Sequence, residues 1–404
     1  MIGDRIRQAR LAAGLTLDQV SARLGDVGQP ITRAGLSKYE RNGSVPSSAL
    51  LLNLARVLGV TSQYFLQDPP VHVAWLAFRK HPQLPQSRQE HLKAYALQCA
   101  EAQQWLQHTL YPNEQPTMPE PRPVRTPEDA EAAATDLRAL WKLGEAPIES
   151  VTQSAEAHGT IVVGWAHDEG KLDGLSGWIN DTTPLAVVNT ATSPDRRRYT
   201  LAHELGHMVM QPDEQNSVDE ERLAHRFAAA FLVPAAIARS ELGERRRHLS
   251  LDELALLKRK HGLSMHGWVH RAHDLGIIDE GHHNTLCRTF VTRGWKKQEP
   301  VAYQGSEEPT RLEQLVFHAL AEGIITEAHA AHLCPWYSLE AMEAEQAVER
   351  GLSAKALMAL PLDERARLLA AAAVGADRLY RDNPDLTGFD AFGEEDLYDY
   401  SGQG

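Results

Sequence analysis

His203 and His207 stand four residues apart in the run His203-Glu204-Leu205-Gly206-His207. On a helix such a pair projects from one face, one turn above the other, so both imidazoles can reach one ion while Glu204 stands beside the open coordination position. That geometry activates a water. It requires a helix anchored in a core. From Tyr199 onward Leu201, Ala202, Leu205, Met208 and Val209 recur at helical spacing, and Pro184–Asn189 predicts a buried strand with a Ser193-Pro194-Asp195 turn before the helix.

A catalytic Zn2+ usually keeps three protein ligands and a fourth place for water. The stretch 219–234 predicts the helix that supplies the third, with Leu223, Ala224, Phe227, Ala228 and Phe231 on its apolar face and Glu221 at the edge of that face. Glu221 is the expected third ligand beside His203 and His207. Glu220 and Asp219 read as solvated first-turn acids favoured by the helix dipole. His225, one turn beyond Glu221, is a ligand or a transition-state donor on one reading and a packed or surface histidine on the preferred one. The oxyanion donor stays open among Tyr199, His225, His248 and the histidines further along the chain.

A chain of 404 residues, 43% of them apolar, predicts more than one domain with proper cores. Cys99, Cys287 and Cys334 form no CxxC pair, which indicates neither a disulfide framework nor a cysteine zinc site. No apolar run reaches the length of a membrane span and no secretory core is present at the N-terminus, so the expected location is cytoplasmic, with no membrane partner. A net charge of -13 argues against nucleic-acid binding by the whole surface and leaves room for a local basic module.

Residues 1–68 carry apolar positions for about five short helices, the size of a small helical DNA-binding domain. Thr16 caps the helix from Leu17 to Leu24, and Thr32 caps the next, which carries Arg33, Ser37, Lys38 and Arg41. In a helix-turn-helix the second helix enters the major groove, so these residues are the expected DNA contacts. Residues 69–111 read as a helical connector, with Leu92, Tyr95, Ala96, Cys99, Ala102, Leu106 and Leu110 at helical spacing; it packs on a neighbour or supports a homodimer. Six prolines in 112–127 predict an extended, semi-rigid linker and a domain boundary. The hydrolytic domain then spans 128–300, a helical C-terminal region 301–380, and an acidic tail 381–404. His329 and His332 read as surface or packing residues. Beyond Arg381 the tail has no lysine or arginine and interleaves aromatics with acids, a composition suited to folding onto a basic groove.

Two resemblances add to this reading. Asp173-Gly-Leu-Ser-Gly-Trp178, Val187-Val-Asn189, Arg197–His207, Glu221–Pro234 and Gly294–Pro300 together resemble the ImmA/IrrE family of metallo-endopeptidases over about residues 128 to 300. The likeness implies a mixed α/β zincin-like domain that cuts a partner protein, commonly a repressor, with His203, His207 and Glu221 as ligands and Glu204 as general base. His225 departs from it, since the family often has asparagine there. Arg5–Ser21, Leu36–Gly43 and Val45-Pro-Ser resemble the Cro/CI-type (XRE) helix-turn-helix, with Gly25–Pro30 making the turn longer than usual. A weaker likeness, over about 355 to 400, is to the arm by which small bacterial antitoxins wrap a toxin.

The expected architecture is multidomain: an all-α helix-turn-helix domain, a mixed α/β zincin-like metallopeptidase domain, and a helical C-terminal region with an acidic tail. The expected function is a DNA-binding regulator that binds a double-stranded operator and cleaves a protein substrate such as a repressor or toxin-system partner. The alternative is a non-catalytic DNA-binding antitoxin acting through the tail.

Overall fold

The computed structural model describes residues 1–66, 71–76, 85–166, 173–212, 219–296, 298–334 and Arg365. The chain divides into a large unit, Met1–Ile325, and a second from Thr326 onward. The helix expected over 357–373 and the acidic tail lie outside the described residues, apart from Arg365.

Four helices open the chain, α1 (Ile2–Ala12), α2 (Leu17–Asp26), α3 (Arg33–Glu40) and α4 (Ser48–Leu58), followed by a 3-10 turn at Ser62–Leu66. They bury Ile6, Val20, Leu24, Leu36, Leu54 and Phe65 in one small core. Thr16 begins α2 through a capping box: its hydroxyl accepts from the Gln19 N–H at 3.2 Å and the Gln19 side chain accepts from the Thr16 N–H at 2.8 Å. Thr32 caps α3 by accepting from the Gly35 N–H at 3.1 Å. Between α2 and α3 the chain turns through Gly28, which holds a left-handed φ of +74°.

The mixed α/β domain is built on a four-stranded sheet. Its strands are β1 (Val73–Trp75), β3 (Ile161–Trp165), β4 (Gly174–Ile179) and β5 (Thr183–Asn189), in the order β1-β4-β5-β3; only the β5–β3 pair is parallel. The continuous apolar run of β5 exists because both faces are covered. Leu185 and Val187 point with Ile161, Val163 and Leu175 toward α5 (Gln86–Leu110), where Leu92, Ala96 and Ala100 meet them. Ala186 and Val188 point the other way, into the main core. That core is closed by α6 (Pro127–Leu140), α7 (Val151–Ala157), α8 (Pro194–Val209) and α9 (Glu220–Leu232). Then follow α10 (Ala235–Leu242), α11 (Leu251–His261), α12 (Met265–Asp274), α13 (Glu280–Thr292) and α14 (Arg311–Ala321). In the second unit the described helix is α15 (Glu327–Leu333).

Two expectations are corrected. The connector is not helical throughout: Val73–Trp75 form β1, an edge strand of the sheet, because Trp75 and its neighbours alternate across a pleat that β4 completes. The helix α5 uses its apolar face to pack on that sheet. The proline-rich stretch is extended, as prolines dictate, yet it is no free spacer. Arg122–Val124 form β2, paired in parallel with β6 (Met210–Pro212), and the Trp141 indole donates to the Thr117 carbonyl at 2.7 Å. Proline lacks only a donor, so the other backbone groups of the stretch remain available to bond the domain.

Buried charge ties the outer helices to this frame. Lys258 on α11 reaches Asp195, in the first turn of α8, and Glu299, each at 2.9 Å. Glu299 also accepts from the Met265 and His266 N–H groups at the start of α12, each at 2.9 Å. Arg271 of α12, fully buried, donates to the Val233 carbonyl at 3.0 Å and pairs with Glu131 of α6. The segment after Glu299 is held by two more acids. Glu307 accepts from the Thr152 N–H at 2.9 Å, and Glu156 accepts from the Arg311 N–H at 3.1 Å. Burial pushes the Glu156 carboxyl up to about 7, against the N–H groups of Arg311 and Thr310 and the Arg311 charge, which lower it.

Two outcomes follow from these charges. Lys258→Ala leaves two buried carboxylates facing each other and should cost about 3–5 kcal/mol, read as a lower denaturant midpoint; Lys260→Ala, which removes an exposed partner of Glu241, should cost under about 1 kcal/mol. Because the folded Glu156 carboxyl lies above its unfolded value, its contribution is fully present below about pH 4.5 and is lost as pH rises through about 7. Stability of Glu156→Gln relative to the parent should therefore rise across that window, by up to about 3 kcal/mol; a difference that does not vary with pH contradicts the assignment.

Candidate metal centre and nucleic-acid interface

The helix α8 begins at Pro194, before the apolar period that starts at Tyr199, with Ser193 as N-cap. Proline fits the first helical position because its fixed φ is helical and its missing N–H has no partner there in any case. The result is a helix long enough to carry Asp195 to Lys258 at one end and the two histidines at the other. Beside it runs α9, and their approach is set by Gly206: a Cβ there would lie 2.9 Å from the Phe227 ring. Glycine lets the two helices touch, and the contact sets donors of α9 against donors of α8.

Those donors form one cluster. Nε2 of His203 and Nε2 of His207 are 3.1 Å apart, His203 Nε2 is 3.2 Å from Glu221 Oε2, and His207 Nε2 is 3.7 Å from Glu221 Oε1. Ligand atoms at about 2.1 Å from a tetrahedral zinc sit about 3.4 Å from one another, so the three edges match a single ion. Burial, then the neighbouring His203, holds the His207 imidazole down to about 4, which keeps it neutral as a ligand must be. Glu220, expected as a solvated acid, instead approaches His207 Nδ1 at 3.3 Å. The correction is geometric: two successive first-turn acids of α9 reach the two ring nitrogens of one imidazole, and Glu220 can fix the tautomer that leaves Nε2 free to bind metal. Asp219 is the N-cap, accepting from the Glu221 N–H at 3.1 Å.

Glu204 lies between α8 and β4 and is almost fully buried. Its Oε2 accepts a 2.6 Å hydrogen bond from Ser176, and Gly174 allows the close approach, since a Cβ there would meet Glu204 Oε1 at 2.9 Å. Gly174 and Ser176 share one face of β4 while Leu175 fills the other, so strand alternation delivers both to the glutamate. Burial raises the Glu204 carboxyl to about 7, with His203 and Ser176 pulling it down and Glu221 and Asp173 adding to the rise. Such a group can take and return a proton near neutral pH.

A cavity of about 590 Å³ opens onto His203, Glu204 and Glu221, and Tyr199 and His225 form part of its wall. The Tyr199 hydroxyl lies 3.2 Å from His225 Nδ1, and the His225 ring centre is 4.5 Å from that of His203. His225 is exposed at the edge of the cleft and packs on Tyr199 and His203, in keeping with a packed or surface histidine. His248 packs on His282, with ring centres 5.2 Å apart, and does not line this cavity. Sequence reasoning missed Ser176 and Glu220. Ser176 was detectable only as a polar residue at an inward position of a strand, and Glu220 only from the pitch at which α9 crosses α8.

The basic residues expected at DNA lie on or beside α3. Arg33 opens the helix and pairs with Asp18 of α2 at 3.3 Å, both largely exposed. Lys38 and Arg41 are exposed, Ser37 is half-buried, Thr32 serves as the cap, and Arg41 is the residue that ends the helix. Residues 1–66 hold eight Lys and Arg against four Asp and Glu, a basic module in an acidic chain. Among the described residues no helix is long and apolar enough to cross a membrane.

No curated protein matches the chain. Residues 6–65 match the family model for a helix-turn-helix, and residues 155–273, which contain α8 and α9, match the peptidase M78 model described as an IrrE N-terminal-like domain. The chain therefore carries an N-terminal segment similar to an XRE-type helix-turn-helix and, after it, a segment similar to the IrrE-like domain of a metallopeptidase family, an order that matches the ImmA/IrrE plus helix-turn-helix architecture.

Proposed function

We propose that this chain is a DNA-binding regulator whose IrrE-like domain is a zinc-dependent endopeptidase that cleaves a partner protein such as a repressor. The observation that carries the reading is the placement of Glu204, buried and raised to about 7, beside the His203–His207–Glu221 donor cluster at the floor of an open cleft. When bound there, zinc supplies Lewis-acid chemistry, lowering the pKa of a water and polarising a carbonyl. The side chains of the protein do the rest. Glu204 takes the proton of the attacking water at a carboxylate oxygen and delivers it to the leaving amine nitrogen, while the Ser176 hydroxyl steadies the other oxygen. Glu220 orients the His207 ring. Tyr199 and His225 stand at the wall where charge develops on the scissile oxygen, and either N–H or O–H can donate to it. At the other end of the unit, α3 presents Thr32, Arg33, Ser37, Lys38 and Arg41 to a duplex operator, with Lys38 and Arg41 as phosphate contacts.

Glu204→Gln should retain zinc and abolish cleavage. The measurement is the intact mass of the protein encoded next to this one after co-expression with parent or variant. A defined fragment seen only with the parent is the expected result, and an uncleaved partner purifying equally with both would favour the antitoxin reading. Lys38→Ala with Arg41→Ala should weaken binding to a selected duplex across all sequences and lower the salt slope of the affinity by about 2; an unchanged slope would remove both residues from the interface.

A further inference from the structure

Outside the His203 cluster, a second group of metal-binding side chains lies where α12 meets α13. His266 and His270 are one turn apart on α12, and His283 and Cys287 are one turn apart on α13, so each helix offers a pair from a single face. The ligand atoms of His266, His270 and Cys287 all lie within 4.8 Å of one another. His283 stands beside this group: its Nε2 is 3.0 Å from His270 Nδ1 and 3.6 Å from Cys287 Sγ. For a tetrahedral zinc with bonds of about 2.1 Å to nitrogen and about 2.3 Å to sulfur, nitrogen–nitrogen and nitrogen–sulfur edges are about 3.4 and 3.6 Å. Hydrogen bonding among the four leaves the group incomplete, since His266 Nε2 is buried with no hydrogen-bond partner among the described residues. The rings also crowd one another, with centres 4.4 Å apart for His266 and His270 and 4.9 Å for His270 and His283.

We propose that His266, His270, His283 and Cys287 form a second metal site, which takes a tetrahedral divalent ion of the zinc type through three imidazole nitrogens and one thiolate. Binding releases the Cys287 thiol proton to solvent as the sulfur bonds the ion. The mixed soft and borderline donor set selects zinc-like ions over magnesium or calcium. The lack of a CxxC pair is no obstacle, because helical i, i+4 spacing on two facing helices brings the donors together. The site clamps α12 to α13, and His266 also lines the catalytic cleft, so the ion would fix part of the wall past which a substrate enters.

The test is titration of the reduced, metal-stripped full-length protein with Co2+ alone. The parent should show thiolate-to-cobalt charge-transfer absorption, a signature the His203–His207–Glu221 cluster cannot give because it contains no sulfur. Cys287→Ser should abolish the band and lower the bound cobalt by one ion per chain. His270→Ala, at an exposed position, should weaken cobalt binding in the band by at least tenfold without disturbing the fold. Cys99→Ser and Cys334→Ser should leave the band intact, as should His203→Ala with His207→Ala, which separates failure of this site from failure of the catalytic reading. A parent lacking the band, or a band that survives Cys287→Ser, overturns the proposal.

Discussion

The contact between Gly206 and Phe227 is the constraint on which the candidate centre depends. The histidines of α8 come as a pair from helical pitch alone, but pitch cannot say where a third ligand will be. That is decided by the distance between two helix axes. A missing Cβ on α8 lets the Phe227 ring fill the gap, and the close approach places Glu221 and Glu220 of α9 beside His203 and His207. A bulkier residue at 206 would collide with the Phe227 ring, so the ring or the second helix would have to shift. Glycine in the middle of a helix costs about 1 kcal/mol relative to alanine, a cost that helix contact and donor geometry offset.

Glu204 illustrates the complementary constraint. An unpaired buried carboxylate is expensive, and the fold tolerates this one by a single strong donor from Ser176 and by the adjacent imidazole rather than by a full ion pair. Elsewhere the domain neutralises buried acids with cations: Asp195 and Glu299 with Lys258, Glu131 with Arg271 and Arg226, Glu307 with Arg198. The contrast is chemical. Glu204, supported by a hydroxyl rather than by a cation, is raised to about 7, near the point of proton transfer.

Much of this arrangement was legible in the sequence, for identifiable reasons. Period and capping chemistry are local, so the starts of α2 and α3 at Thr16 and Thr32 and the apolar faces of α8 and α9 could be read directly. The buried run of β5 carried its meaning because a strand covered on both faces cannot alternate. What could not be read is non-local. The edge strand β1 is three residues long and exists only because β4 is there to pair with it. The parallel pairing of Arg122–Val124 with Met210–Pro212 joins segments far apart in the chain, and no proline count reveals it. Glu220 and Glu221 differ by one position, a rotation of about 100° on the helix, and both reach the centre because the first turn of α9 lies beside His203 and His207.

The same non-local logic bears on how the DNA-binding module relates to the hydrolytic domain. A module on a flexible tether would be indifferent to the state of the cleft, but α1 rests on α5. Arg5, buried, donates to both oxygens of Glu101 at 2.8 and 2.7 Å, Gln8 adds a bond to Glu101 at 3.2 Å, and the guanidinium lies over the Tyr64 ring. Two groups from the helical module therefore converge on one acid of α5, and a third, Tyr64, backs the guanidinium. The opposite face of α5 covers Ile161, Val163, Leu175 and Val187 of the sheet, whose strand β4 also supplies Ser176 to Glu204. A desolvated charge pair resists being pulled apart, because separating it leaves a buried carboxylate alone. Arg5, Glu101, α5 and β4 thus form one continuous path of packed groups from the helical module to Glu204. Displacing the helical module from α5 would have to separate this buried pair.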